Sequence, residues 1–347
     1  MRRLTLIIAL LTLALLATTL PAAARDQMAL GVSMPNQDLV GFTGQMTHRG
    51  GEPPALWSIW SQWGARGANK QWKNKNRECN FDLNLNCAFP AGQATQAWNA
   101  GATPVIWWEP VIPGASFQAN ERFGRHKRTL QGKNDKYIRQ WANRARAWGE
   151  AEDRKIILRL AHEGNGTFFP WTIGNYDNTN KTFKKFWRHV WKIFKQQGAR
   201  PYVDFFWSMN KKKCKGCNPF KVIWPGGKYI DYVGFTAFNW GKQKSWKSMM
   251  KVLEQPMRQL GKVTKEPVIV GELASHFKPT SKSKADWIRN GYNGAYSKWP
   301  RLKGIMYLNA KPGFGHPDWR LDKPDDGSAL QAYADITSLF KFKGVLD

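Results

Sequence analysis

Two glutamates follow runs too apolar to hold a charge comfortably. Glu163 closes "IILRLAHE" and Glu272 closes "PVIVGE". A buried carboxylate without a partner is costly, so each needs either an ion pair, for which Arg159 is the candidate, or a polar cavity. Two carboxylates facing one cavity can divide the roles of proton donor and nucleophile if their surroundings push their pKa values apart. Cleavage of a glycosidic bond uses such a pair: one protonates the departing oxygen while the other attacks or activates water. Other chemistries fit the residues less well. "HEGNG" lacks the second histidine of H-E-x-x-H, the chain has six histidines, and no G-x-S-x-G nucleophile elbow occurs. No metal and no cofactor is expected.

The elements that must carry these residues alternate. Short runs dense in Val, Ile and aromatics predict strands at Ala29–Ser33, Leu56–Trp60, Pro104–Trp108, Ile156–Ala161, Val203–Trp207, Tyr232–Thr236, Val268–Val270 and Gly304–Leu308. Between them lie helical repeats. Ile138, Trp141, Ala145 and Trp148 follow the candidate cap Asn134-Asp135. Phe183 to Phe194 form a wide apolar stripe that Gly198 stops, with Lys184, Lys185, Arg188 and Lys192 on the other face. "WKSMMKVLEQPMRQLG" is interrupted by Pro256, and Ala285–Tyr296 and Ala329–Phe340 complete the later set. The early third is less regular, with a polar insertion from Gly64 to Ala91. Eightfold strand–helix alternation predicts an α/β fold, a (β/α)8 TIM barrel. An open doubly wound sheet would bring a G-x-G-x-x-G turn, and "GVSMPNQDL" after the first strand has none.

In such a barrel chemistry gathers at the carboxyl ends of the strands. Those positions hold Glu109, His162, Glu163, Asn210, Asn239, Glu272 and Asn309. Glu109 could contact a sugar hydroxyl or serve as a third acid. Aromatic residues make up 14% of the chain, with 19 tryptophans. Trp108, Trp171, Trp207, Trp240 and Trp319 fall at strand ends or on the following loops, where a flat ring can stack on a pyranose; core packing is the alternative for each.

Composition bounds the setting. Arg2 and Arg3, the apolar run Leu4–Leu20 and the small residues Pro21–Ala24 predict a secretory signal peptide over residues 1–24, leaving 25–347 as one catalytic domain of an exported protein. Four cysteines fit an oxidising compartment. Three pairings are open, and the short loops favour Cys79–Cys87 and Cys214–Cys217. The balance of 53 Lys+Arg against 25 Asp+Glu gives a net charge of +28. It suits an anionic setting, such as surface polymers or an acidic polysaccharide. Without a helix-turn-helix, zinc-finger or RNP pattern it does not indicate nucleic acid. No segment after the first is apolar enough to span a membrane, and a monomer is expected.

At these residues the chain resembles glycoside hydrolase family 26, the β-mannanase family of the large retaining clan of (β/α)8 glycosidases. "RLAHEGNGTFFPW" is similar to that family's R-x-x-H-E-x-N-G-x-[WF]-F-x-W segment, "PVIVGELASH" to its nucleophile segment, and "FFWSMN" and "WPGGKYIDYVGF" to two further stretches. The likeness runs from about Ile106 to Leu308. It implies Glu163 as acid/base and Glu272 as nucleophile, with Arg159 and His162 keeping Glu272 ionised and aligned. It also implies double displacement with retention on a β-linked polysaccharide, with β-1,4-mannan as the default. One departure stands out. Where the family carries D-G-Y-N, its tyrosine bonded to the nucleophile, this chain has "FTAFNWG", with Phe238 at the tyrosine position. Another β-glycan, an acidic exopolysaccharide, or a binding barrel whose catalysis has lapsed are the alternatives.

Overall fold

The computed structural model describes residues 26–35, 38–64, 79, 87–211, 216–241, 245–276, 284–311, 313, 317–323 and 327–346. The expected signal segment lies outside these residues, as do Cys214 and most of the polar insertion.

Strands β1 (Ala29–Ser33), β2 (Leu56–Gln62), β3 (Thr103–Glu109), β4 (Ile156–Leu160), β5 (Val203–Asn210), β6 (Tyr232–Asn239), β7 (Val268–Ser275) and β8 (Leu302–Leu308) pair in sequence order. All are parallel, and β8 returns to β1 to close a barrel. The helices that return the chain are α1 (Leu39–His48), α2 (Ala91–Asn99), α3 (Phe117–Gly124), α4 (His126–Leu130), α5 (Asp135–Glu150), α6 (Asn180–Gln196), α7 (Met249–Gly261), α8 (Lys284–Lys298) and α9 (Ser328–Thr337). The molecule is the expected (β/α)8 barrel. No helix among the described residues is long and apolar enough to cross a membrane.

Strand periodicity splits the apolar residues into two layers. Leu56, Val105, Trp107, Ile157, Phe206, Ile269 and Met306 fill the barrel interior. The alternate residues, including Ile106, Trp108, Leu158, Phe205 and Trp207, pack outward against the helices. α6 illustrates the outer seal. A Thr179–Thr182 capping box starts it, and Phe183, Phe186, Trp187, Val190, Ile193 and Phe194 are buried. Each such side chain contributes about 1.5–3 kcal/mol. The chain leaves the helix through Gly198 at φ +69°, a left-handed conformation that glycine adopts freely.

Two local expectations change. Pro256 lies inside α7 and does not break it. Asn134 occupies the N-cap position of α5 without a capping bond; its amide nitrogen donates to the Thr129 hydroxyl and the Arg122 carbonyl, tying the helix start to α4 and α3. α2 to α4 lack the large apolar repeats that mark α5 and α6, so their pattern is weak: α2, for example, buries only Ala94 and Ala97. Cys79 and Cys87 form a disulfide with 5.5 Å between their Cα atoms. Cys217 is also disulfide-bonded.

Candidate active site

The site is assembled from side chains facing each other across parallel ladders. Arg159 points into the barrel from β4 and is fully buried. Opposite it on β3 is Trp107, whose ring lies 4.4 Å from the guanidinium carbon. Arg159 Nη1 donates to Glu272 Oε2 at 3.0 Å, while Nη2 donates to Ser208 Oγ at 3.0 Å and Thr236 Oγ1 at 2.9 Å. Thr236 Oγ1 in turn donates to Glu272 Oε2 at 3.0 Å. Thr236 reaches that oxygen because the β6–β7 register shifts between Phe235 and Thr236: Val270 pairs with Phe235, and Glu272 then pairs with Thr236, skipping Gly271. A Cβ on Gly271 would lie 2.9 Å from Arg159 Cζ, so the guanidinium can sit there only against a glycine.

The turn after β4 brings the second carboxylate. Ala161 and Glu163 both adopt left-handed backbone, with φ of +42° and +53°. Such strain costs about 1–3 kcal/mol per residue and persists only where surrounding structure enforces it. Here the Glu163 N–H donates to the Ser208 carbonyl at 2.8 Å, and the Glu163 carbonyl accepts from Gly166 N–H at 2.8 Å. Asn165 locks the next loop, donating to the carbonyls of Asn210 and Asn218 and accepting from the Asn210 N–H. The Glu163 carboxyl is buried, and Thr236, Asn210, Arg159 and Lys211 stand near enough to act on it electrostatically.

Burial dominates the electrostatics. It pushes Glu272 up to about 7, opposed by the charge of Arg159 and reinforced by that of Glu163. Glu163 is also raised by burial, opposed by the nearby Thr236 and Asn210 side chains and by the charges of Arg159 and Lys211. The buried His162 ring is held well below its ordinary value by burial and by Arg159, which keeps it neutral. Glu109 rises to about 7 through burial, opposed by the bond from Gln62 and the charge of Arg159. Gln62, its register partner on β2, donates to Glu109 Oε2 at 3.0 Å.

Other candidates separate into those at the mouth and those elsewhere. The resemblance places His162 beside Glu272. Its ring instead lies among Trp107, Phe169 and Trp171, with Nδ1 3.8 Å from Glu109 Oε1, and no hydrogen bond joins it to Glu272. Trp171, expected to stack on a sugar, is instead buried: it stacks flat on Phe169 at 4.5 Å and donates to the His162 carbonyl, bracing the Glu163 turn. Trp240 is 44% exposed. It meets Trp319 edge-on, and Trp319 stacks on Phe238 at 4.3 Å. These rings form an apolar wall whose Trp319 backbone carbonyl accepts from Lys284 and Tyr307. Trp108 and Trp207 do not stack on sugars. Both are fully buried on the outer side of the sheet, Trp108 against Trp141 and Phe194, Trp207 against Phe220 and Trp224. Asn239 spends its amide on Ser275 Oγ and its oxygen on the Lys247 N–H, so it secures the loop after β6. Sequence reading misses Thr236, Ser208, Gln62 and Trp107. Their signal is positional: Thr236, Gln62 and Trp107 are each the register partner of an identified residue on the adjacent strand, and Ser208 is reached by the Arg159 guanidinium.

The family model for glycosyl hydrolase family 26 matches residues 92–305. The chain belongs to this family. Endoglucanase H of Acetivibrio thermocellus is 29% identical over 246 residues, covering 69% of this chain and 25% of the relative, so the chain spans about a quarter of that protein's length. Among solved structures, the barrel is similar to a Bacillus subtilis mannanase (TM-score 0.59, 14% identity, covering 92% of this chain and 87% of that one). It is also similar to a modular endo-β-1,4-mannanase from Cellulomonas fimi (TM-score 0.62, 14% identity, covering 89% and 70%). At that identity the family 26 structures speak to fold.

Proposed function

We propose that this family 26 glycoside hydrolase is an exported, retaining, endo-acting enzyme on a β-linked polysaccharide, with Glu272 as nucleophile and Glu163 as acid/base. One observation carries the reading: the hydroxyl of Thr236 donates to Glu272 and stands close enough to the Glu163 carboxyl to act on it. An oxygen bonded to one carboxyl and neighbouring the other keeps the two roughly 6 Å apart or less. That is the close spacing of a pair in which one member attacks directly, with no room for the water an inverting pair must hold.

The roles follow from the partners. Two like charges this close in a dry site cannot both be favoured, so the pair keeps one proton. Glu272 accepts from the Arg159 cation and from Thr236, and it holds the charge. Glu163 holds the proton and gives it to the departing sugar, then takes one from the water that hydrolyses the glycosyl-enzyme. Trp240 offers its exposed ring at the mouth, backed by the buried Trp319, and Glu109 offers a protonated carboxyl to a sugar hydroxyl. The endoglucanase relative favours a β-glucan backbone. A β-1,4-mannan, the default of the family likeness, is the competing substrate, and the charge of +28 makes an acidic glycan the third arm.

Release of reducing ends from β-glucan, mannan and carboxylated polysaccharides tests the substrate, and NMR of the first-formed anomer tests the stereochemistry. E272A should lose more than about a thousandfold in kcat on whichever polymer is cleaved. E163A should lose comparably on the polymer yet keep glycosylation of aryl glycosides with good leaving groups. Inversion of the anomer, or full activity of E272A, would overturn the assignment. Binding without cleavage by the wild type would favour a lapsed scaffold, the reading to which Phe238 points.

A further inference from the structure

The hydroxyl of Thr236 has more acceptors than it can serve. Arg159 only donates, so its bond to Thr236 Oγ1 takes none of the hydroxyl's own hydrogen. That one hydrogen is directed to Glu272 Oε2, while the Glu163 carboxyl lies within reach of the same oxygen. Phe238, two residues along β6, offers no hydroxyl and is stacked on Trp319. We propose that Thr236 is a positioning residue whose single hydroxyl hydrogen follows the negative charge from Glu272 to Glu163 and back during each turnover; this rests on the retaining reading above.

The cycle balances without any other reactant. At rest Glu272 is the carboxylate and receives the bond. Both of its bonds fall on Oε2, and no hydrogen bond among the described residues reaches Oε1, which is therefore the attacking oxygen. In the first step Oε1 bonds to the anomeric carbon, the carbon–oxygen bond to the leaving sugar breaks, and its electron pair takes the proton of Glu163. Glu272 is now a neutral ester and a weak acceptor, whereas Glu163 is a carboxylate and a strong one. The hydroxyl turns to Glu163, with Arg159 Nη2 still donating to its oxygen as a pivot. In the second step water gives a proton to Glu163 and its oxygen bonds to the anomeric carbon. The ester carbon–oxygen bond breaks, its electron pair returns to Glu272, and the hydroxyl turns back. The guanidinium forces the direction of the hydroxyl at both stages.

T236V keeps the shape and removes the hydrogen, while T236S keeps the hydrogen. In the substrate-free protein, a pH titration of 13C-labelled glutamate carboxyls, with Glu272 assigned through E272Q, should show Glu272 titrating at higher pH in T236V but not in T236S. On a substrate that the wild type cleaves, T236V should lose roughly 10- to 100-fold in kcat, the effect of one charge-assisted hydrogen bond. Both limbs of its pH profile should move to higher pH, and T236S should recover most of the rate. A wild-type titration and profile in T236V, or a T236S as poor as T236V, would overturn the inference. If T236V is normal while E272A is dead, the retaining assignment stands and only the role of Thr236 falls; if E272A is fully active, both fall.

Discussion

Glu109 takes no part in the proposed bond cleavage, and its burial has a measurable consequence. The folded protein holds its proton up to about 7, against 4.5 for the ordinary group. Between these values the native state binds more protons than the unfolded chain, so the stability this group contributes is whole below pH 4.5 and is lost as pH rises through 7. The groups facing it, neutral His162, the Gln62 amide and the Arg159 cation, do not reverse that sign. E109Q, which keeps an acceptor for Gln62, should gain up to about 3 kcal/mol at pH 8 and little at pH 4. Melting temperatures at the two pH values check this, and an unchanged gap would mean that Glu109 is ionised in place. Glu163 and Glu272 tilt stability in the same direction, so part of the slope remains. At this scale Glu163, Glu272 and Arg159 are legible in sequence because a charge inside an apolar run needs a reason. Thr236 and Ser208 are not, since a hydroxyl in a strand has many harmless explanations and only register reveals its partner.

Among the elements, β7 is the least regular and the most constrained. Its bulge carries Glu272 opposite Thr236, and Gly271 makes room for the guanidinium. Gly271→Ala should therefore act on both stability and chemistry. Overpacking by one methyl should cost about 1–3 kcal/mol, and displacement of Arg159 should lower kcat on the cleaved substrate. A thermal melt with a parallel activity assay reads both, and a Gly271→Ala protein normal in both would show that the bulge has slack. The eight strands are legible from their short apolar runs, and α5 and α6 from large side chains at helical spacing. The extensions of β5, β6 and β7 toward the mouth are not, because polar residues such as Asn210, Asn239 and Ser275 end the apolar pattern before the hydrogen-bonded ladder ends. Trp108 and Trp207 are misplaced by the same limitation: a one-residue change of phase exchanges inside for outside.

For the whole molecule, the excess of positive charge sets how partners arrive rather than how the chain folds. If that field serves the substrate, kcat/KM on a carboxylated polysaccharide should fall about tenfold from low salt to about 0.5 M, while hydrolysis of a neutral β-glycan stays nearly flat. Equal salt responses on the two polymers would separate the charge from catalysis. The barrel is legible at this scale because alternation over the whole chain leaves few other topologies. The charge is equally plain in the composition, but composition does not say which polymer it meets.

The pairing of Thr236 with Glu272 within the β-ladder has one more consequence. The hydroxyl that steadies Glu272 belongs to the ladder, whereas the exposed ring of Trp240 stands just past the end of β6, backed by Phe238 and the buried Trp319. On the proposed reading, reaction geometry rests on the sheet and contact with the glycan on the loop that follows it. That loop would then be free to diverge toward new glycans, by natural drift or by directed selection, without retuning the machinery beneath.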